Sequence, residues 1–481
     1  MTGSCHSSPH ECSAKIPARS WGPQSCHPLF FMKELIKKII VWKLNILARM
    51  YLRVYKPKIV AVTGNVGKTS TKEAIAIVLG RTQKIRSGKG NLNNEFGVPL
   101  TILGDWADDY YQSESALFFW LRVLVGSFFG LFFQKNYPEI LVLEYGSDKP
   151  GDIKCLTQKF KPHVGVVTAV GQIPVHVEYF SGPEDVAKEK GQLVEALFAS
   201  DFAVLNFDDL AVLEMKERTK ARVTTFGFGD GAMVKISNLE PWIENQIPNG
   251  VSFKINYNDA SNGGGHGFVP FRLKGSLGKS QGYASAAAVS VGIIFGMNLV
   301  EISEALSEYQ GPKGRLKILK GIKDSVVIDD TYNASPLSTH LALETLKDIT
   351  ALRQAQGKTA RSIAVLGDML ELGKYTEQAH REVGNVAGSF ADILVCVGLR
   401  ARFIADSARR SLGEGGGERI FTFDTSEEAR LKVKDLIESG DLILVKGSQG
   451  MRMEKIVAEI MAEPENAKKL LVRQSDKWRS K

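Results

Sequence analysis

The stretch TGNVGKTS, residues 63–70, follows the apolar run Ile59-Val60-Ala61-Val62. A strand that runs into a turn of Gly64, Asn65, Val66 and Gly67, with Lys68, Thr69 and Ser70 opening a helix, has the parts needed to hold phosphate. Backbone N–H groups at such a turn wrap phosphate oxygens, and the positive end of the helix adds attraction. Lys68 is placed to reach the β and γ phosphates of a nucleotide, and the Thr69 hydroxyl to hold Mg²⁺. The stretch departs from G-x-x-x-x-G-K-T in one respect, because Val62 stands where the first glycine would be.

Two further residues fit the same chemistry. Glu144 ends the run ILVLE, at the carboxyl edge of a parallel sheet where ligands gather, and a carboxylate there completes a Mg²⁺ shell. His176 follows VGVVTAV through a loop and reaches the same crevice, although a lone loop histidine is more often solvated than a ligand. Lys190 lies in VAKEKGQLV, where the default role is a solvated helix face.

The elements that must position these residues alternate along the chain. Strand-like runs at Ile59–Thr63, Ile140–Glu144, Val164–Ala169, Phe202–Asn206 and Thr224–Phe226 are separated by helical stretches such as 69–80 and 184–198. Residues 232–275 read as a hairpin excursion with the loop SNGGGHG at 261–267, followed by helices near 279–297 and 300–308. A second series of strands comprises Ser325–Asp329, Ser362–Leu366, Ile393–Val397, Ile420–Phe423 and Leu442–Val445, with the glycine-rich turn 413–418 on the surface. The expected fold is α/β: a central P-loop mononucleotide-binding domain built on a parallel sheet, plus a C-terminal Rossmann-like α/β domain. The expected boundaries are 1–58 for a tail and basic helix, 59–313 for the P-loop domain with an apolar insertion at 105–137, and 314–474 for the C-terminal domain.

The chain has 481 residues, 44% hydrophobic and 24% charged, with a net charge of +8, the composition of a globular protein with two or three domains. The positive charge is uneven. Residues 33–58 hold Lys33, Lys37, Lys38, Lys43, Arg49, Arg53, Lys56 and Lys58 against Glu34, interleaved with leucine, isoleucine and Trp42. This basic amphipathic helix suits either an anionic membrane surface or packing against the body of the protein. Residues 116–133, ALFFWLRVLVGSFFGLFF, carry Arg122 as their one charge and approach the length of a membrane span. A crossing there would separate the phosphate loop from the rest of the enzyme. A buried helical hairpin or a membrane-dipping insertion are the two remaining readings. Three of the five cysteines, Cys5, Cys12 and Cys26, fall near His6, His10 and His27 without the spacing of a metal framework, and Met32 is an alternative start. A cytoplasmic chain is expected, peripheral at the inner face of the membrane. The net charge alone is too little to indicate nucleic acid.

Read together, the motifs resemble the ATP-dependent Mur ligases, and most closely the branch that adds D-alanyl-D-alanine to a UDP-MurNAc-tripeptide. The resemblance runs over about 59–458 and rests on TGNVGKTSTKE (63–73), GNLNNEFGVPLTIL (90–103), VLEYGSDKPGDI (142–153), VAKEKG (186–191), VVIDDTYNASPLS (326–338), VLGDMLELG (365–373) and LVKGSQGMRMEKI (444–456). It implies ATP and Mg²⁺ as cofactors. It also implies catalytic roles for Lys68, Glu144, His176 and Lys190, with Thr69, Glu144, His176 and Lys190 at the metals. Lys190 matches the lysine that becomes carbamylated. Arg315 would lie near the ATP phosphates, Asp330 would hold the ribose, and Gln281 would offer an amide to the base. Asn91, Asn93 and Asn94 would contact the peptide substrate, while Asn333 and Ser335 would shape the acceptor site. The reaction implied is attack of the tripeptide carboxylate on the γ-phosphate, then attack of the D-alanyl-D-alanine amine on the acyl phosphate, in a monomer.

The chain differs from the family pattern in its N-terminal region, where 58 residues stand in place of a UDP-binding domain. It has GKSQGYA at 278–284 where the family has G-R-H-N-x-x-N, and a longer loop before His176 that lacks an asparagine at Ala169. These differences leave an alternative donor in view, a lipid-linked or nucleotide-free carboxylate joined by the same chemistry.

Overall fold

The structure, a computed structural model, describes residues 28–90, 92–112, 116–244, 247–258, 268–357, 361–412, 416–475 and 478. Asn91, the cysteines before residue 28, the 261–267 loop and residues 413–415 lie outside the described residues.

The first sheet has nine strands. In chain order they are β1 (Lys58–Thr63), β2 (Ile85–Ser87), β3 (Ile140–Glu144), β4 (Val164–Val167), β5 (Phe202–Asn206), β6 (Arg222–Gly227), β7 (Val234–Glu244), β8 (Ile247–Tyr257) and β9 (Phe268–Lys274). Their spatial order is β2-β3-β1-β4-β5-β6-β7-β8-β9, parallel as far as β7 and antiparallel from β7 to β9. The second sheet contains β10 (Lys317–Lys320), β11 (Val326–Asp330), β12 (Ser362–Gly367), β13 (Ile393–Val397), β14 (Ile420–Phe423) and β15 (Leu442–Lys446), in the order β10-β11-β15-β12-β13-β14. Its β10 edge is antiparallel and the rest is parallel.

The central strands are apolar throughout because both faces of the sheet are covered. Val60 and Val62 of β1 pack with Ile75 and Val78 on one face; Ile59 and Ala61 join Leu44 and Tyr51 on the other. The covering helices that matter for the site are, in chain order, α1 (Pro28–Tyr55), α2 (Lys68–Gly80), α3 (Gly97–Leu103), α4 (Ala107–Gln112), α5 (Ala116–Phe133), α6 (Asp152–Lys159), α7 (Pro183–Glu195), α8 (Leu210–Leu213), α9 (Lys279–Ile294), α10 (Leu299–Ser307) and α11 (Pro336–Ala355). The two sheets share one apolar cluster, which continues from Val62 and Ala284 to Ile328 and Leu346.

The α/β reading of the sequence holds, with local differences. The strand at 164 ends at Val167, and Ala169 instead forms an isolated bridge with Val66. Strands β2 and β10 are three and four residues long, too short to carry a periodic signal. Residues 116–133 form one continuous helix rather than a hairpin. Its glycines make room instead of breaking it: a side chain at Gly130 would meet the Tyr51 hydroxyl, and one at Gly126 would press on Trp106. Among the described residues no helix is long and apolar enough to cross a membrane.

Candidate active site

Strand β1 delivers the phosphate loop to the carboxyl edge of the sheet. Gly64 adopts φ 135°, and a Cβ there would lie 2.1 Å from Thr168 Oγ1, so only glycine lets the turn lie against the end of β4. The amides of Asn65 and Val66 both donate to Ala169 O, at 2.6 and 3.2 Å. Asn65 Nδ2 donates to Val175 O at 3.2 Å, which ties the loop to the segment that carries His176. Gly67, at φ 87°, turns the chain into α2. The first amides of α2, from Lys68 to Ser70, have no carbonyl one turn behind them, so they are the donors left for an anion.

Beneath this loop lies a buried polar cluster. Val62 of β1 is in register with Glu144 of β3, which places the Glu144 carboxylate under the start of α2. Thr69 Oγ1 donates to Glu144 Oε2 at 3.0 Å, and Asn93 Nδ2 donates to Oε1 at 3.1 Å. Lys72 Nζ stands 3.8 Å from the same carboxylate and 3.4 Å from Gly90 O. Burial pushes the Glu144 carboxyl upward, but Lys72, Lys68, Asn93 and Thr69 together outweigh it and hold the group below its usual range. Lys68 is itself lowered, by burial above all, with Glu144 opposing and Arg315 assisting. The loop that carries Asn93 is held in place because Gly146 N donates to Asn93 O at 2.8 Å, and a side chain at Gly146 would collide with Asn93.

Lys190 is not on a solvated face. It is 2% exposed, and its Nζ donates to Ser147 Oγ at 2.6 Å, three residues beyond Glu144. Burial, reinforced by the charge of Lys68, pushes its amine down to about 7. Its neighbour Glu189 accepts from the amides of Gly151 and Ile153, fixing α7 against the start of α6.

His176 sits at φ 68° and does not join Glu144. Its Nδ1 lies 2.7 Å from Glu371 Oε2 in the second unit, and its Nε2 lies 3.8 Å from Asp148 Oδ1. The His176 imidazole, through its hydrogen bond, holds the Glu371 carboxyl below its ordinary range. Among the described residues no group of three or more histidine, cysteine, aspartate or glutamate side chains could hold a metal unaided. A hydroxyl and a carboxylate, Thr69 and Glu144, suit Mg²⁺, which takes its remaining oxygens from phosphate and water.

Across the crevice, Lys446 at the end of β15 donates to Asp330 Oδ2 at 2.6 Å and to Asn333 O at 2.9 Å, with both charged groups buried. Burial lowers the Lys446 amine, and Asp330 opposes that. The Arg315 guanidinium lies over the Tyr332 ring at 4.1 Å. A cavity of about 750 Å³ opens between the units, lined on one side by Val66, Gly67, Asn206 and Tyr283 and on the other by Leu337 and His340. Tyr283 donates to Asp208 Oδ2 at 2.9 Å.

Several residues singled out in the sequence occupy other roles. Gln281 is buried away from the cavity; its amide donates to Arg315 O and accepts from Tyr309. Ser335 and Asn94 accept from backbone amides at the starts of α11 and α3, so their side chains cap helices. Asn333 Oδ1 accepts from the next amide in its own turn. Lys72, Glu371 and Lys446 join the site without being indicated by the motifs above. Lys72 has a local signal, one helical turn after Lys68; Lys446 ends an otherwise apolar strand; Glu371 has none, because its partner lies across the crevice.

Residues 129–258 match the Mur ligase middle domain, and residues 314–449 match the family described as "Mur ligase, glutamate ligase domain". The UDP-N-acetylmuramoyl-tripeptide--D-alanyl-D-alanine ligase of Bacillus subtilis is 28% identical over 87% of this chain and 79% of its own length. The enzyme of the same description from Mycobacterium leprae is 29% identical over 82% of this chain and 71% of its own length. The crystal structure of MurF from Acinetobacter baumannii superposes with a TM-score of 0.67 at 25% identity, covering 86% of this chain and 79% of that one. MurF from Thermotoga maritima, solved with ADP, shares the fold at a TM-score of 0.69 and 24% identity over 89% and 84% of the two chains. Fold and site thus define an ATP-dependent ligase that forms amide bonds. The chain belongs to the Mur ligase family.

Proposed function

We propose that the protein joins D-alanyl-D-alanine to the terminal carboxylate of a UDP-MurNAc-tripeptide, as its relatives are named for doing. The observation that carries this reading is the buried Glu144 carboxylate, which links the phosphate loop through Thr69 to the substrate-side loop through Asn93. In this reading residues 59–313 bind ATP and residues 314–474 close over it. The amides at the start of α2 and the Lys68 ammonium bind the β and γ phosphates and offset charge on the transferring phosphoryl oxygens. Thr69 and Glu144 would hold Mg²⁺, which supplies Lewis-acid stabilisation of those oxygens. The tripeptide carboxylate attacks the γ-phosphorus, the bond to the ADP oxygen breaks, and an acyl phosphate forms. The D-alanyl-D-alanine amine then attacks the carbonyl carbon, loses a proton and expels phosphate.

Two finer features belong to the same reading. Lys190, with its amine lowered to about 7, has a large neutral fraction at physiological pH. A neutral amine adds to CO₂, forming an N–C bond and releasing one proton, and the resulting carbamate supplies a carboxylate-like group beside Ser147. His176 and Glu371 hold the crevice closed and keep water from the acyl phosphate. The enzyme acts as a cytoplasmic monomer with peripheral contact at the inner face of the membrane. Hydroxylamine added with ATP, Mg²⁺ and the tripeptide donor, in the absence of D-alanyl-D-alanine, tests the intermediate. A donor hydroxamate formed with stoichiometric ADP is expected; ADP release without hydroxamate would refute the acyl-phosphate step.

A further inference from the structure

Helix α1 is apolar on two sides. Leu44, Ala48 and Tyr51 are buried in the body of the protein, while Met32, Leu35, Ile39, Trp42, Ile46 and Met50 recur at spacings of three and four and are exposed, Trp42 to 62%. Helix α5 repeats the arrangement. Phe119, Val123 and Leu131 are buried, whereas Phe118, Leu121, Val125, Phe128 and Phe132 are exposed. The two helices are bonded side by side, with the Tyr51 hydroxyl on Ser127 O at 2.8 Å and the Tyr55 hydroxyl on Leu131 O at 3.0 Å. An apolar face of this extent on a monomer marks something that covers it.

The charge pattern identifies the cover. Exposed Lys38, Lys43, Arg49 and Arg53 lie along α1, and Glu34 is its single acid. A second copy of this surface would set one cationic helix against another, so self-association is opposed. We infer that α1 and α5 form a docking face for an anionic lipid bilayer, lying on the surface with their apolar stripes in the acyl boundary and their lysines and arginines among the headgroups. This inference rests on the peripheral placement proposed above and names its surface.

The face is continuous with the substrate side of the site. Phe96, three residues beyond Asn93, packs on Trp120 of α5 at 5.7 Å and lies under Lys37 of α1 at 5.4 Å, and Lys37 also pairs with Glu95 at 4.0 Å. Docking therefore sets the loop that contacts Glu144 at the membrane surface, where donors carried on a lipid would be presented.

Co-sedimentation of the full chain with phosphatidylcholine vesicles, with and without about one third phosphatidylglycerol, tests this. Binding to the anionic vesicles is expected to be at least roughly tenfold stronger and to weaken with salt. Tryptophan emission is expected to shift to the blue on binding, through Trp42. Two variants, K38E/R49E/R53E and I39S/I46S/F128S/F132S, are each expected to lose binding while ADP release with soluble substrates stays unchanged. No binding, equal binding to neutral and anionic vesicles, or a concentration-dependent dimer that the serine variant abolishes would each overturn the inference. Vesicle binding without ligation would count against the ligase reading alone, and ligation without vesicle binding against this one alone.

Discussion

Two regions of the molecule break the ordinary rule of what belongs inside. Around Glu144 the protein buries charge: Glu144, Lys72 and Lys190 are each at most 3% exposed, next to the phosphate loop. On α1 and α5 it leaves tryptophan, phenylalanine and isoleucine in water. The first arrangement costs desolvation free energy and is held by mutual charge and hydrogen bonds. The second forgoes the favourable free energy of apolar burial. In the reading proposed above, the first region receives a phosphate and a metal and the second a lipid surface.

Substitutions separate the two regions, and the largest effects should fall in the buried one. If Lys68 binds the transferring phosphoryl group as proposed, Lys68→Ala should lower ADP release on the order of 10²–10³-fold. Glu144→Gln leaves Lys72 and Lys68 without their counter-charge. It should slow turnover roughly a hundredfold, raise the Mg²⁺ requirement and lower stability by about 3 kcal/mol in denaturant titration. A loss of stability without any change in Mg²⁺ requirement would reduce Glu144 to a structural charge.

The Lys190 amine gives the buried region a pH dependence. Its folded value is lowered from 10.5 to about 7, so between those values the unfolded chain holds the extra proton. Stability contributed by this site therefore rises with pH from about 7 toward 10.5, and the full cost is present below 7. The neutral fraction of a group titrating there grows roughly tenfold between pH 6 and pH 8, and bicarbonate-dependent activity should grow with it. Lys190→Met should abolish that bicarbonate response.

Smaller effects are expected away from the buried charges. Glu371→Gln weakens a half-exposed contact between the units and should cost about 1 kcal/mol, read as a few-fold rise in uncoupled ATP hydrolysis. Phe128→Ser with Phe132→Ser on α5 should change stability by no more than about 0.5 kcal/mol and leave ADP release intact. Unfolding by that pair would show that α5 is held by its outer face and would erase the contrast.

The parts of the site that could be read in advance are those whose signal is local. The phosphate loop follows from one strand, two glycines and a lysine; Glu144 follows from its place at the end of an apolar strand. Lys190 carried a signal that charge alone conceals: Val186, Lys190 and Leu193 share a helix face, and that face is the buried one. The caps formed by Asn94 and Ser335 are also local, and a polar residue just before a helix is a cap by default. The pairs His176–Glu371 and Asp330–Lys446 join residues 195 and 116 positions apart, and periodicity says nothing about such distances. Sequence does not reveal the place of Gln281, because its partners, Tyr309 and Arg315, lie on a different segment and consume both ends of its amide.

The most direct test of the whole account is product formation by the purified chain with ATP, Mg²⁺, bicarbonate, UDP-MurNAc-tripeptide and D-alanyl-D-alanine, followed by mass spectrometry and ADP assay together. The UDP-MurNAc-pentapeptide mass is expected in a one-to-one ratio with ADP, requiring both substrates and absent in Lys68→Ala. Lys68-dependent ADP release that neither substrate stimulates, with no pentapeptide formed, would contradict it.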